Sequence, residues 1–406
     1  MVLSAASEGF VLSDDYEGRE QSLFKHYVLK QYLCILAMKT GMSGVQHLNY
    51  IDCFAGPWKS ETENFSDTSP KIAITELLNA RKALQERGKN VEMRFTFIEK
   101  DKAAYSNLEK VLSPFGAYDI ESHNSEFTKT IPQIQAFIDR KSANNFTFFF
   151  IDPTGWTGFA MDDIKGLLRS NRGEVLINLM TKDITRFVAE EFTENSFSKL
   201  FGQDRIEHIR SQAKTLSGRE REDFVVEEYC NSLREFAGYD YVASAVIANP
   251  EQQRNHFHLI YGTRNPIGLE KFGEITDKLM EQQKVGRALV KDKKENQEID
   301  GSLQSCLFSS LERAEFNGDG GYIDELRGYY HSIGKAKIRE KLVQAGSILY
   351  DDLFAFALQL PMISHKTLKA FLAEWKKGED LDYCGFADGQ RVPKIRENNK
   401  VLWLRN

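Results

Sequence analysis

Four acids close short apolar runs in the first half of the chain: Asp52 in "YIDCFAGPW" (50–58), Glu99 in "TFIEKD" (96–101), Glu126 in "SHNSEF" (122–127) and Asp152 in "IDPTGWTG" (151–158). Carboxylates at the ends of adjacent strands can accept hydroxyl and amine hydrogens at one point and attract a cation. Glu99 can take both hydroxyl hydrogens of a ribose, and Asp101 is a second candidate for that role. Asp152 precedes Pro153, whose ring fixes φ, so its carboxylate and the neighbouring carbonyl can face one exocyclic amine while Trp156 stacks on a base. A tight turn whose Trp156 fills an apolar gap is the alternative. Glu126 and Phe127 would sit beside a purine, one at its amine and one against its ring.

These acids converge only if the runs before them are strands of one sheet. The runs "HLNYIDCFA" (47–55), "EMRFTFIEKD" (92–101), "NFTFFFIDP" (145–153) and "GEVLINLM" (173–180) are short and rich in β-branched and aromatic residues. Helical patterns separate them: "SPKIAITELLNARKALQER" (69–87), "KAAYSNLEKVL" (102–112), "TKTIPQIQAFIDRK" (128–141) and "MDDIKGLLRS" (161–170). Strands apolar on both faces and alternating with helices predict a buried parallel sheet in a doubly wound α/β domain. An amphipathic helix over 22–40 precedes it, and Ser69 with Pro70 reads as the capped start of the next helix. After a charged, mostly helical insertion (182–238), "YVASAVIAN" (241–249) and "HFHLIYGT" (256–263) predict a hairpin that puts an antiparallel strand near the sheet edge.

In such a sheet the ligand crevice lies outside the carboxyl ends of the strands, where the strand order reverses. A phosphate-binding G-x-G-x-x-G is absent, and a pyrophosphate would be opposed by Asp52. A cationic cofactor suits the crevice better. S-adenosylmethionine, with its sulfonium and α-amino groups, matches Asp52, Phe54, Ala55 and Gly56 at the first strand, Glu99 at the second, and Glu126 with Phe127 at the third.

The remaining composition bounds the partners. The chain has 406 residues, 28% charged and 41% hydrophobic, with a formal net charge of −6, which predicts a soluble globular protein that meets nucleic acid only through a local basic patch. No apolar run is long enough for a membrane span, and the start "MVLSAASEGF" lacks signal-peptide character, so the expectation is cytoplasmic. Five scattered cysteines without C-x-x-C spacing argue against a zinc site and a disulfide framework. His256 and His258 share a strand face and read as sheet-surface residues rather than a metal pair. Lys25 and His26 on the first helix read as a solvated lysine and a packing histidine, although both could face the crevice. "NGDGGY" (317–322) lacks the lysine of a phosphate loop and reads as a turn.

The last segment, 339–406, predicts short helices and then two runs about an "ENNK" turn (397–400), a winged-helix arrangement. Between Arg391 and Asn406, five basic residues (Arg391, Lys394, Arg396, Lys400, Arg405) face one acid, Glu397, a local charge of +4. Of these, Arg391, Lys394, Arg396 and Lys400 form a candidate phosphate-binding wing.

Taken together, "KHYVLKQYL" (25–33), "YIDCFAGPW", "TFIEKD", "FFFIDPTGW", "GEVLINLM" and "HFHLIYGTRNPIGLEKF" resemble the three-Cys-motif partner family of bacterial proteins. The resemblance implies a class I methyltransferase-like, Rossmann-like seven-stranded sheet with a terminal antiparallel hairpin, and a C-terminal winged-helix-like domain. It also implies an S-adenosylmethionine pocket and a partner resembling radical-S-adenosylmethionine enzymes with a three-cysteine motif. Asp52, Phe54, Ala55, Gly56 and Pro57 match the family's first motif, Glu99 its second-strand acid, and Asp152, Pro153 and Gly155 its fourth-strand motif. The domains expected are an N-terminal helical segment (1–45), the methyltransferase-like domain (46–285), a helical linker (286–338) and the winged-helix-like domain (339–406). The expected function is methyl transfer to nucleic acid, on a base amine. The alternative is a non-catalytic nucleic-acid-recognition subunit, to which Cys53 and Trp58, standing where the family has glycines, and the altered "DPTGW" point.

Overall fold

Seven strands assemble in the order β3-β2-β1-β4-β5-β7-β6. They are β1 (His47–Asp52), β2 (Glu92–Ile98), β3 (Asp119–His123), β4 (Asn145–Ile151), β5 (Gly173–Leu179), β6 (Tyr241–Ala248) and β7 (Asn255–Thr263). The computed structural model describes residues 20–56, 65–141, 143–188, 199–202, 205–298 and 321–405. Pro57, Trp58, most of the polar excursion after them, parts of the insertion, Cys306 and most of "NGDGGY" lie outside the described residues.

All neighbouring strands pair in parallel except β7, which runs antiparallel to both β5 and β6. That is the edge hairpin read from 241–263, and it holds because "PEQQRN" is too short for a crossover helix. Helices α1 (Glu20–Met42), α2 (Ser69–Gln85), α3 (Lys102–Leu112), α4 (Phe127–Asp139) and α5 (Met161–Ser170) lie between or before the parallel strands. Two apolar cores result, one on each sheet face. The first unites Phe24, Leu33, Ile74, Tyr50, Phe148 and Tyr261, and the second unites Ile51, Phe149, Ile151, Phe159, Ile177 and Leu233. Because successive strand residues point to opposite faces, Tyr50 and Ile51, or Phe148 and Phe149, serve different cores.

Two buried polar networks clamp these layers. Arg94 is fully buried on β2, donating to the Asp119 carboxylate (2.7 Å), Asn49 Oδ1 (2.8 Å) and the Phe137 carbonyl (2.8 Å). It thereby ties β1, β2, β3 and α4 together. Glu174, buried at the start of β5, accepts the hydroxyls of Tyr32 (2.7 Å) and Thr263 (2.9 Å), while Tyr32 also meets the Tyr261 hydroxyl at 2.5 Å. Unpaired, either charge would be costly in the interior; hydrogen-bonded, each fixes one relative placement of its elements.

Beyond the sheet, a long helix Pro266–Glu298 is followed by the helix Gly321–Ala345, β8 (Ser347–Leu349), the helices Tyr350–Ala357 and His365–Lys377, and then β9 (Leu381–Cys384) and β10 (Lys400–Trp403). These last strands form an antiparallel three-stranded sheet in the order β8-β10-β9. The two runs do pair as antiparallel strands, but the turn at "ENNK" (397–400) is corrected: β9 and β10 are joined by a loop over 385–399. Pro393 supplies no amide for a ladder, and Arg396 and Asn398 have left-handed backbones (φ 64° and 53°). The loop instead closes on buried Asn399, whose side chain donates to the Gly385 carbonyl (2.7 Å) and accepts from the Lys394 amide (2.7 Å) and Gln390 (2.6 Å). A second correction concerns α2, where Thr68 is the N-cap and the Ser69 hydroxyl is directed to Asp52 rather than to the helix amides. Among the described residues no helix is long and apolar enough to cross a membrane.

Gly173 marks the tightest contact of the sheet, because a methyl group on its α-carbon would lie 1.9 Å from the Thr147 carbonyl oxygen on β4. Backbone cannot swing aside as a side chain can. Gly173→Ala is expected to lower stability by about 1–3 kcal/mol, read as a fall in the urea midpoint; an unchanged midpoint would show that β4 and β5 can separate locally.

Candidate functional site

Asp52 ends β1 with a fully buried carboxylate. Its Oδ2 accepts from the Ser69 hydroxyl (2.9 Å) and the Tyr50 hydroxyl (3.2 Å), and its Oδ1 from the Phe54 amide (3.3 Å). No lysine or arginine forms an ion pair with it among the described residues. Burial, reinforced by the nearby Asp152 charge, pushes its carboxyl up to about 7 against the pull of these hydrogen bonds.

Asp152 follows β4, two residues beyond Phe150, the residue in register with Asp52. Its Oδ2 receives the Lys25 ammonium from α1 at 2.5 Å and its Oδ1 the Asn178 side-chain amide from β5 at 2.8 Å. Lys25 is therefore not the solvated lysine expected from the helix pattern, since only 12% of its side chain is exposed. The other polar atom of Asn178, Oδ1, is buried without a hydrogen-bond partner among the described residues. Lys25, Asn178, Ser69 and Tyr50 are the site residues that the sequence reading missed or under-weighted. For Lys25 the signal was its place on the helix preceding β1; for Asn178 it was a polar residue near the end of an otherwise apolar strand.

Glu99, just past β2, is buried and uses Oε1 to accept the Asp101 amide at 2.5 Å. Burial raises its pKa. Asp101, the second candidate, uses Oδ1 to cap α3 by accepting the Ala104 amide (2.8 Å). Phe54 packs edge-on against Phe127 with ring centroids 5.8 Å apart, and the Ala55 amide donates to the Ile98 carbonyl (2.8 Å), which draws the turn after β1 onto β2. Gly56, partly exposed, follows in that turn.

Asp52, Glu99 and Asp152 thus come together at the carboxyl ends of β1, β2 and β4, beside the β1/β4 boundary where the strand order reverses. Glu126 does not join them as a buried group: it is the exposed N-cap residue of α4, paired with Lys129 at 2.8 Å, which lowers its pKa. Pro153 is buried, and Trp156 is half-buried against the second core, the gap-filling place weighed for it. Arg391, Lys394, Arg396 and Lys400 are all exposed on the loop and first residue of β10, far in sequence from the crevice.

One histidine needs correction. His258 is not on the sheet surface but buried (1% exposed), its Nδ1 3.2 Å from the Thr181 hydroxyl and 3.6 Å from Glu222, under the helix Gly218–Ala237. Among the described residues no cluster of three or more His, Cys, Asp or Glu could hold a metal ion, and Cys34, Cys53, Cys230 and Cys384 are free thiols.

No family model matches the chain, and no curated protein matches it. Among solved structures it is similar to protein LPL1258 from Legionella pneumophila strain Philadelphia 1, of family model DUF519. The match has 11% identity and a TM-score of 0.36, over 64% of this chain and 89% of that one.

The raised Asp52 carboxyl has a stability consequence of definite sign. Its folded pKa of about 7 exceeds the unfolded carboxylate value, so the folded state holds the extra proton in between and stability falls as pH rises toward 7. The stability of the wild type minus that of Asp52→Asn is expected to fall by at most about 1.4 kcal/mol per pH unit across this window and to level off above it. Denaturation series at stepped pH measure this, and a difference that stays flat would place the Asp52 proton elsewhere.

Proposed function

We propose that the chain is an S-adenosylmethionine-dependent, methyltransferase-like protein acting on a base amine of nucleic acid. The observation that carries this reading is the convergence of Asp52, Glu99 and Asp152 at the switch point of a seven-stranded sheet with order β3-β2-β1-β4-β5-β7-β6 and a single antiparallel strand, β7. That order agrees with the class I methyltransferase-like sheet implied by the resemblance. The succession of helix, strand, two helices and two strands over 321–403 agrees in the same way with a winged helix.

The residues present fit the cofactor. Glu99 accepts the Asp101 amide at Oε1, and a carboxylate has further lone pairs with which to accept ribose hydroxyls. Asp52 is a buried carboxylate with donors but, among the described residues, no counter-ion, a match for a sulfonium and an ammonium. Phe54 and Phe127 offer an aromatic edge for the adenine, and Ala55 and Gly56 keep the backbone approachable. When bound, S-adenosylmethionine supplies an electrophilic methyl group.

For the acceptor, Asp152 and Asn178 Oδ1, which has no hydrogen-bond partner among the described residues, supply oxygens for an amine, with the half-buried Trp156 as a stacking surface. Lys25 occupies one of those oxygens, so an arriving amine replaces one N–H···O contact with another and Lys25 returns when product leaves. The residues contribute alignment and the exclusion of water more than proton transfer. The exposed cations Arg391, Lys394, Arg396 and Lys400 would lie on phosphates, and the three-cysteine-motif protein is the partner the resemblance implies.

A second reading, a recognition subunit without turnover, is favoured by one observation: the ion pair of Lys25 with Asp152 already fills the acceptor position. Calorimetry separates the two. Wild type is expected to bind S-adenosylmethionine, Glu99→Ala to bind it at least about tenfold more weakly, and Asp152→Ala to bind cofactor normally but transfer no methyl group. Affinity should also rise with pH up to about 7, since the cation competes with the Asp52 proton, and this dependence should vanish in Asp52→Asn. Wild type that ignores the cofactor at every pH would leave only the recognition reading.

The wing makes its own prediction. Reversing Arg391, Lys394, Arg396 and Lys400 to glutamate should weaken nucleic-acid binding and flatten the dependence of log affinity on log salt by roughly 0.7–0.9 for each phosphate that is no longer neutralised. An unchanged slope would remove the wing from the interface.

A further inference from the structure

A cavity of about 340 Å³ lies away from the crevice, where the helix Gly218–Ala237 meets the β6/β7 hairpin, the helix Gly321–Ala345 and the segment after Tyr350–Ala357. One face of the first helix lines it: Asp223, Val226, Glu227, Cys230 and Arg234, spaced by three and four residues over about 16 Å of axis. Opposite stand Tyr330, Ile333, Gly334 and Lys337 with the same spacing. Phe356, Leu360 and Pro361 close the apolar side, and burial pushes the Cys230 thiol up to about 12, so it is wall rather than nucleophile.

The inner end has a definite hydrogen-bond polarity. Thr181 donates its only hydroxyl hydrogen to Glu222 (2.7 Å), so its oxygen accepts from Nδ1–H of His258. The second nitrogen of that buried ring, Nε2, is then an acceptor, with no hydrogen-bond partner among the described residues. Asp223 takes the hydroxyl hydrogens of Tyr330 at Oδ1 (2.7 Å) and Tyr329 at Oδ2 (3.0 Å). Those donors are committed, while each carboxylate oxygen retains a lone pair, and no lysine or arginine forms an ion pair with Asp223 among the described residues. What this end lacks is a free hydrogen-bond donor: the Arg219 guanidinium lies over the Tyr329 ring at 4.9 Å but pairs with Glu325 at 3.1 Å rather than with Asp223.

At the other end Arg234 is held by neutral acceptors: Gln359 Oε1 (3.1 Å), Asn231 Oδ1 (2.7 Å) and the Val242 carbonyl (2.9 Å). Lys337 and Glu227 pair with each other at 3.4 Å on the exposed rim, beside Ile333, which is 36% exposed. The mouth therefore carries the Lys337–Glu227 pair beside the apolar Ile333, with the Arg234 cation held by neutral groups, and the depth is acceptor-rich.

We propose that this cavity binds an amphipathic amine, its ammonium donating to Asp223 and His258 Nε2 beside the Tyr330 ring and its apolar body lying along Val226, Ile333, Phe356 and Leu360. The site joins the sheet to the C-terminal helices, is distinct from the crevice of Asp52 and Asp152, and does not require that reading.

Hexylammonium chloride, with hexanoate, hexanol and zinc chloride as competitors, tests this by calorimetry on the full chain. Saturable binding is expected for hexylammonium alone, at least about tenfold weaker in Asp223→Asn and absent in Leu360→Trp, which fills the apolar wall. Should Asp223→Asn fail to fold, Leu360→Trp, judged by its thermal melt and its response to hexylammonium, decides alone. No binding of hexylammonium, equal or tighter binding of hexanoate or hexanol, displacement by zinc, or indifference to Leu360→Trp would each overturn the proposal.

Discussion

Two carboxylates, Asp52 and Asp152, stand at the ends of adjacent parallel strands in a largely water-free place, and much of the architecture answers that repulsion. Burial alone would force Asp52 to hold its proton. The structure treats them differently: among the described residues Asp52 receives two hydroxyls and an amide and no counter-ion, whereas Asp152 receives an ammonium and a side-chain amide. The donors come from β1 itself, the turn after it, α1, α2 and β5, so satisfying two side chains draws α1, α2 and β5 to the same end of the sheet.

The helix that brings Lys25 is fixed at a second point. Tyr32, two turns further along α1, reaches Glu174 and Tyr261 in the interior and packs its ring near Phe148. With α1 pinned by this buried network, the Lys25 ammonium has little freedom to wander from the crevice. A long side chain held by helix packing offers positional precision that one on a loop would not. Its ion pair is worth more for geometry than for stability, since partly buried pairs lose to desolvation much of what they gain in attraction.

The far edge of the sheet is organised by the same physics with other residues. His258, Thr181, Glu222 and Asn255 form a chain of hydrogen bonds beneath the helix Gly218–Ala237, and Asp223 on that helix reaches Tyr329 and Tyr330 of the helix Gly321–Ala345. The helix Gly321–Ala345 is thereby tied to the sheet side of the molecule through side chains. Tyr322 adds a hydrogen bond to Asn255.

The alternation of β-branched and aromatic runs with amphipathic segments was enough to determine the parallel sheet, its helices and the antiparallel edge hairpin, because backbone periodicity and turn length are local properties. Helices 102–112 and 161–170 fall where their apolar spacing puts them, and strand ends locate Asp52, Glu99 and Asp152. What a side chain touches is not local. Ser69 reads as a cap but bonds Asp52, His258 reads as surface but is buried, and Lys25 reads as solvated but pairs with an aspartate 127 residues away. Each of these has two chemically acceptable partners in the sequence, and only the packing of α1, α2 and the β6/β7 hairpin on the sheet selects one. The loop over 385–399 follows the same rule, since its shape is set by Asn399 bonding across it, a closure that no stretch of adjacent residues encodes.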